Sequence, residues 1–282
     1  MSVLLFPGQG SQFKGMGKEL FKLFPEMVAE ANQILGYDIE QAVFSEVINQ
    51  TQYTQPLIYC ISSMAWLERK DNLKVDMVLG HSLGEYAALY VAGVFDFATG
   101  LNLVKRRAEL MNDAKEGGMA AIVGISAAKV EEIIKENRLN LVIANYNSPM
   151  QTVISGTKES IAASSSFFAE GRFIPLKVSG AFHSPLMHAA AESFYAFLKE
   201  FKLHQPRYPV VLNATARAHV DCFTEMSKLL SQQLVSPVFW HQSIEYCLAL
   251  GYLDFVELGP GQVLTSLLDA ILHDPVITSA VN

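Results

Sequence analysis

A serine stands between two glycines in Gly80-His81-Ser82-Leu83-Gly84-Glu85, after the short apolar run Val75 to Leu79 and before a helix-like run from Ala87 to Val94. In a strand, turn and helix context, Gly-x-Ser-x-Gly is a nucleophile elbow, because both glycines clear space for a tight turn that holds the serine exposed. Ser82 is therefore the candidate nucleophile. The turn also sets it at a helix N-terminus, where free N–H groups and the helix dipole stabilise a developing oxyanion. The N–H of Leu83 is the natural first donor, and the N–H of Gln9 is a second, in the glycine-bearing loop Gly8-Gln9-Gly10-Ser11-Gln12 that follows the strand-like Val3 to Phe6. That loop lacks the GxxxxGK[ST] spacing and the lysine of a phosphate loop.

A serine hydroxyl needs an adjacent base, most often histidine. The candidates are His81, His183, His188, His204, His219, His241 and His273. His81 adjoins Ser82, but neighbours across a sharp turn point apart, so it is read as loop support. His183, in Val178-Ser179-Gly180-Ala181-Phe182-His183-Ser184-Pro185, lies between a strand and a returning helix, a junction that can face a cleft between domains. A capping or packed histidine would suit that junction equally well. No acid presents itself as a third member. An α/β-hydrolase runs Ser, acid, then His near the C-terminus. His183 comes too early for that order and His273 lies in a polar tail, so a simple lipase or esterase fits poorly.

The elements that must position these residues follow from periodicity. Helix patterns at Glu19 to Leu35, at Ile58 to Leu67 with a start signal in Thr54-Gln55-Pro56, and at Phe97 to Asn112 alternate with strands at Val3 to Phe6 and Val75 to Leu79. Such alternation predicts an α/β layered core with a parallel sheet. Lys105, Arg106 and Arg107 lie on the last of these helices, and composition alone assigns them to a solvated face. Gly117-Gly118 then breaks the pattern. Strands at Ala120 to Ile125, Leu141 to Ala144, Gln151 to Ser155 and Phe173 to Val178, with helices at Ala127 to Asn137 and Lys158 to Glu170, give βαββαβ, the ferredoxin-like order. The chain returns through a helix at Pro185 to Phe201, a strand at Val210 to Leu212 and a helix at Thr224 to Leu234. A strand at Phe255 to Leu258, the turn Gly259-Pro260-Gly261 and a helix at Val263 to Leu272 complete it. The predicted architecture is a hydrolase-like parallel-sheet domain, 1–116 and 184–282, with an inserted ferredoxin-like α+β subdomain, 117–183.

With 282 residues, 50% hydrophobic and 17% charged, the chain suits a folded globular enzyme. A net charge of −7 gives no basic footprint for nucleic acid. Cys60, Cys222 and Cys247 are too few and too widely spaced for a disulfide framework or a CxxC metal site, and are read as reduced and buried. The start, Met1 to Pro7, lacks a basic region and its apolar run is too short for a signal peptide; no apolar stretch reaches membrane-spanning length. A cytoplasmic protein with neither nucleic-acid nor membrane partner is expected.

Five motifs taken together resemble malonyl-CoA:acyl carrier protein transacylases and the acyltransferase domains of fatty acid and polyketide synthases. They are Phe6-Pro7-Gly8-Gln9-Gly10-Ser11-Gln12, Gly80-His81-Ser82-Leu83-Gly84-Glu85, Leu103-Val104-Lys105-Arg106-Arg107-Ala108-Glu109-Leu110-Met111, Ala181-Phe182-His183-Ser184 and Glu257-Leu258-Gly259-Pro260-Gly261, in the family's order along nearly the whole chain. The resemblance implies a serine-histidine dyad that exchanges acyl groups between phosphopantetheine thiols. Ser82 would match the acylated serine, His183 the general base, and the N–H groups of Gln9 and Leu83 the oxyanion hole. Gln233 falls where the family uses a main-chain carbonyl to orient the histidine. Arg107 matches the arginine that pairs with the substrate's free carboxylate; Ala108 replaces the glycine that usually follows it. Asn145 and Asn147 resemble positions lining the cleft, though each also reads as a turn residue, and Phe182 resembles the bulky residue of malonyl-selective members.

The expected activity is ping-pong transfer of malonyl from malonyl-CoA to the phosphopantetheine thiol of an acyl carrier protein, for fatty acid or polyketide synthesis. No metal or tightly bound cofactor is implied, and a free-standing monomer is expected. A serine hydrolase or thioesterase, and a non-catalytic docking module, are the rival readings.

Overall fold

The computed structural model describes residues 2–114, 117–219 and 223–274. Strand β1 (Ser2–Phe6) is buried along its whole length, as a strand covered on both faces must be. Helices α1 (Lys18–Leu23) and α2 (Pro25–Leu35) replace the single helix expected from Glu19 to Leu35. The break falls at Phe24, whose extended φ of −126° reflects the clash that a following proline makes with a helical residue. The short α3 (Ile39–Ala42) follows, then α4 (Thr51–Arg69), which begins before the expected start and takes Pro56 inside it. Strand β2 (Val75–Gly80) pairs in parallel with β1 and leads through the serine turn to α5 (Gly84–Val91). Helix α6 (Phe97–Asp113) opens on Asp96, whose side chain accepts the Thr99 N–H at 2.8 Å.

The next six elements are β3 (Gly117–Val123), α7 (Ala127–Glu136), β4 (Leu141–Ser148), β5 (Gln151–Thr157), α8 (Lys158–Ser164) and β6 (Arg172–Pro175). Their strands form an antiparallel sheet in the order β4-β5-β3-β6, the ferredoxin-like arrangement. The helical pattern ends with α6, as expected, and Gly117-Gly118 opens β3; a Cβ on Gly117 would lie 2.0 Å from the Ala181 nitrogen. Strand β4 continues to Ser148, so Asn145 and Asn147 lie on a strand and the turn reading fails. Strand β6 ends at Pro175, short of the expected Val178.

The chain returns through α9 (His188–Leu198), β7 (Val210–Leu212), β8 (Arg217–His219), α10 (Phe223–Gln232), α11 (Trp240–Ala249), β9 (Asp254–Glu257) and α12 (Val263–Leu272). A separate 3-10 turn at Pro185–Met187 precedes α9. The main sheet has the order β8-β7-β2-β1-β9 and is parallel except at β8. Because side chains alternate along a strand, Leu4 and Phe6 pack with residues of α4 and α5, while Val3 and Leu5 pack with Trp240, Ile244, Leu264 and Leu267 of α11 and α12. Helices thus cover both faces, which confirms the α/β layered fold. Cys60 and Cys247 are buried free thiols, and Cys222 lies outside the described residues. Among the described residues no helix is long and apolar enough to cross a membrane.

Candidate active site

Strands β1, β2 and β7 run parallel, so the loops leaving their C-terminal ends meet at one edge of the sheet, where ligands of open α/β sheets gather. The loop after β1 brings Gln9, the turn after β2 brings Ser82, and the end of β7 brings Asn213. Ser82 has φ 51°, the left-handed region that a residue with a Cβ seldom adopts. The flanking glycines make this turn possible. A Cβ on Gly80 would lie 2.0 Å from the Gly84 carbonyl carbon, and one on Gly84 would lie 1.9 Å from the Phe6 oxygen.

Ser82 Oγ lies 2.8 Å from His183 Nε2. On the other side of the ring, Nδ1 lies 2.9 Å from the Gln233 carbonyl oxygen and 3.2 Å from that of Ser236. Carbonyl oxygens only accept, so Nδ1 carries the ring proton and Nε2 faces the serine hydroxyl as a bare acceptor. Burial, and after it the charge of Arg107, holds the His183 pKa down to about 3. The imidazole is therefore neutral at physiological pH and able to take a proton, with two carbonyls where a triad would place an acid. Pairing with β4 steadies this segment: Val238 N–H donates to the Ala144 carbonyl at 2.8 Å, and Tyr146 N–H to the Val238 carbonyl at 2.9 Å.

Arg107 is fully buried on α6. Its Nη1 donates to Gln55 Oε1 at 2.7 Å, and its Nη2 to Ser82 Oγ at 3.1 Å and to Gln233 Oε1 at 2.9 Å. The guanidinium lies 5.5 Å over the Tyr86 ring, and its Nε finds no acceptor among the described residues. The solvated-face reading holds for its neighbours alone: Lys105 reaches the Ile34 carbonyl, and half-exposed Arg106 pairs with Glu109 at 3.5 Å. Burial lowers the Arg107 pKa, but a guanidinium keeps its charge in proteins.

The site opens into a cleft of about 400 Å³ lined by Gln9, Ser82, Leu83, Arg107, Asn145, Asn147, Phe182 and His183, with Met111, Met119, Val153 and Leu176 supplying apolar wall. Neither the Gln9 N–H nor the Leu83 N–H donates to an acceptor among the described residues. Both are therefore available to an oxyanion. The Gln9 side chain is held by Thr51 Oγ1 at 3.2 Å. His81 turns away from Ser82, with its Nε2 2.8 Å from Asn147 Oδ1 and its ring against Trp240.

Sequence reasoning missed four contributors. Gln55 and Tyr86 seat the guanidinium, Asn213 Oδ1 accepts the Ser82 N–H at 2.6 Å, and the Glu85 carboxyl group is only 1% exposed. Glu85 carried a signal, since it is a lone charge at the start of an otherwise apolar helix. The others carried none that separates them from ordinary core or turn residues.

The arrangement supplies a hydroxyl, a neutral base, two free N–H groups and a buried cation around one cleft, a set suited to acyl transfer. Known proteins carry the same frame. The chain is 43% identical to the polyketide biosynthesis malonyl CoA-acyl carrier protein transacylase PksC of Bacillus subtilis strain 168, over 97% of this chain and 98% of that protein. The malonyl CoA-acyl carrier protein transacylase of Burkholderia pseudomallei superposes with a TM-score of 0.93 at 42% identity, covering 98% and 99% of the two chains. A malonyl-transacylase solved in complex with its type II PKS acyl-carrier protein gives a TM-score of 0.90 at 34% identity, covering 96% and 93%. Residues 3–281 match the acyl transferase domain, and the chain belongs to that family.

Proposed function

We propose that this chain moves a malonyl group from malonyl-CoA to the phosphopantetheine thiol of an acyl carrier protein through a malonyl-serine ester. Ser82 Oγ attacks the thioester carbonyl while its proton passes to His183 Nε2; the C–S bond breaks and that proton goes to the departing coenzyme A sulfur. In the second half the carrier thiol gives its proton to His183 and attacks the ester carbonyl. The C–O bond breaks, and Ser82 regains its proton. The N–H groups of Gln9 and Leu83 meet the oxyanion in both halves, and the Gln233 carbonyl holds the imidazole in the working tautomer. Arg107 pairs with the malonyl carboxylate, Phe182 crowds the α-carbon, and Asn145 and Asn147 line the acyl cleft. All these groups belong to this chain, so the reading calls for no tightly bound cofactor. Residues 117–183 act as the inserted subdomain, closing the cleft over the sheet edge.

The observation that carries the reading is a fully buried guanidinium 3.1 Å from a serine oxygen that is itself 2.8 Å from an imidazole. A cation so placed favours an acyl group that brings its own anion, because burying either charge alone is costly. The names of the relatives agree with this. Intact-protein mass spectrometry after incubation with malonyl-CoA is expected to show one malonyl adduct, which a phosphopantetheinylated carrier protein then discharges into malonyl-carrier. An adduct released only as free malonate, with or without carrier, would refute transfer.

A further inference from the structure

Strand β7 lies beside β2 and parallel to it, so the first residue past β7 falls against the turn that follows β2. Asn213 holds that place at 1% exposure. Its Oδ1 accepts the Ser82 N–H at 2.6 Å and its Nδ2 donates to the Gly80 carbonyl at 2.6 Å, so one carboxamide spans the serine turn. A backbone N–H only donates and a carbonyl only accepts, so the span requires an acceptor and a donor at the ends of one short side chain.

We infer that Asn213 is a positioning residue, which braces the serine turn and decides which N–H groups remain for the oxyanion. The inference rests on Ser82 being the nucleophile. A non-glycine residue held at φ 51° persists only when its surroundings over-determine it. The two carboxamide bonds supply that constraint. Asn213 is itself fixed from both sides: its N–H donates to Glu85 Oε2 at 2.6 Å, and its carbonyl accepts from Phe239 N–H at 3.1 Å. Glu85 stands in the first turn of α5, so the brace returns to the helix that the serine turn begins. The brace also commits the Ser82 N–H. The elbow donor left free is the N–H of Leu83, which leaves Gln9 to supply the second. Asn213 thus acts through Ser82 and touches no substrate.

Single-turnover malonylation by rapid quench, across pH, tests the brace. Asn213→Leu removes both bonds at similar volume and is expected to slow acylation about 10²-fold, the scale of a small misplacement of a reacting atom, with the half-saturating malonyl-CoA concentration little changed. Asn213→Asp is the sharper variant. As a carboxylate it offers no donor to the Gly80 carbonyl; protonated, it restores both bonds. Its acylation rate is therefore expected to rise as the pH falls, through an ionisation that the unsubstituted protein lacks. Wild-type rates in Asn213→Leu, or a pH profile for Asn213→Asp parallel to wild type, would overturn the brace. If Asn213→Leu does not fold, the isosteric variant carries the test. In the unsubstituted protein the Ser82 amide should exchange hydrogen as slowly as the β2 amides, and rapid exchange would also overturn the brace. Ser82→Ala separates the two ideas. An adduct that survives it refutes the nucleophile, whereas an adduct confined to Ser82 with normal rates in both Asn213 variants refutes the brace alone.

Discussion

Replacing Arg107 with alanine is expected to divide the response by substrate. A malonyl thioester brings its carboxylate into a cleft where the guanidinium is fully buried and already held by Gln55, Gln233 and Ser82. Removing one partner of such a hydrogen-bonded charge pair costs about 2 to 5 kcal/mol, or about 30- to 5,000-fold in kcat/KM for malonyl-CoA. Part of the damage is common to all substrates, because the Gln55 and Gln233 amide oxygens and Ser82 Oγ lose a donor. An acetyl thioester shares that common loss but gains by the removal of an unpaired cation beside its methyl group. The ratio of malonyl to acetyl transfer is therefore the discriminating quantity, and it should move toward acetyl. Arg107→Lys restores a point charge without the planar fork and should recover only part of the malonyl rate. Arg106→Ala, in a half-exposed pair with Glu109, should change neither substrate. Acylation rates of the variants with both thioesters decide the matter. Equal losses for malonyl and acetyl in Arg107→Ala would refute the carboxylate role.

Burial and the Arg107 charge hold the His183 pKa near 3, below its ordinary 6.5, so the base stays neutral and the acid limb of the acylation rate should lie well below 6.5. Arg107→Ala removes the second of those causes, and stopped-flow profiles should show that limb moving up. The stability that neutral His183 contributes is full above 6.5 and is lost as the pH falls toward 3, so His183→Phe should flatten that part of the curve of melting temperature against pH. Glu85 has the opposite sign. Burial, only partly offset by the Asn213 N–H and by Arg107, pushes its pKa up to about 8, so the folded state keeps a proton that the unfolded state releases above 4.5. Its contribution is lost as the pH rises through 8. Glu85→Gln keeps an acceptor for Asn213 without that loss, and its melting temperature should gain on wild type from pH 5 to 9. Phe182→Ser should relax the preference for malonyl over methylmalonyl by about 1 to 3 kcal/mol, since one methyl group is worth no more; an unchanged ratio in a competition assay would make Phe182 ordinary packing.

The serine turn was legible in the sequence because its cause is local: two glycines whose missing Cβ atoms let α5 sit directly against the strands. The insert was legible from its order of elements, and α12 to the residue. Arg107 was harder, because composition groups it with Lys105 and Arg106. Helical phase could have separated them: Arg107 shares its face with Leu103, Val104 and Met111, all buried, whereas Lys105 and Arg106 fall on the other side. Helix α11 also carries a signal, with Trp240, Ile244, Cys247 and Leu248 at helical spacing. Strand β8 has only three residues and left no pattern to find. Asn213 could not be found by any local rule. Its role depends on β7 lying next to β2, a register set by long-range pairing.

The same non-local logic concentrates the site on one residue just past α10. Gln233 accepts from Arg107 through Oε1, donates from Nε2 to the Ser82 carbonyl at 3.0 Å, and accepts from His183 Nδ1 through its own main-chain carbonyl. The Arg107 cation, the Ser82 backbone and the His183 imidazole therefore share a support. Any side chain at that position keeps the carbonyl for His183, but the Gln233 amide also accepts from the guanidinium and donates to the Ser82 carbonyl. Residues that share a partner in this way do not respond independently, so losses at Arg107 and Gln233 need not add. Further along, the Val238 bonds to Ala144 and Tyr146 tie the same segment to β4. The small antiparallel sheet thus does more than cover the cleft, since the segment that fixes the tautomer of the base runs beside its edge strand.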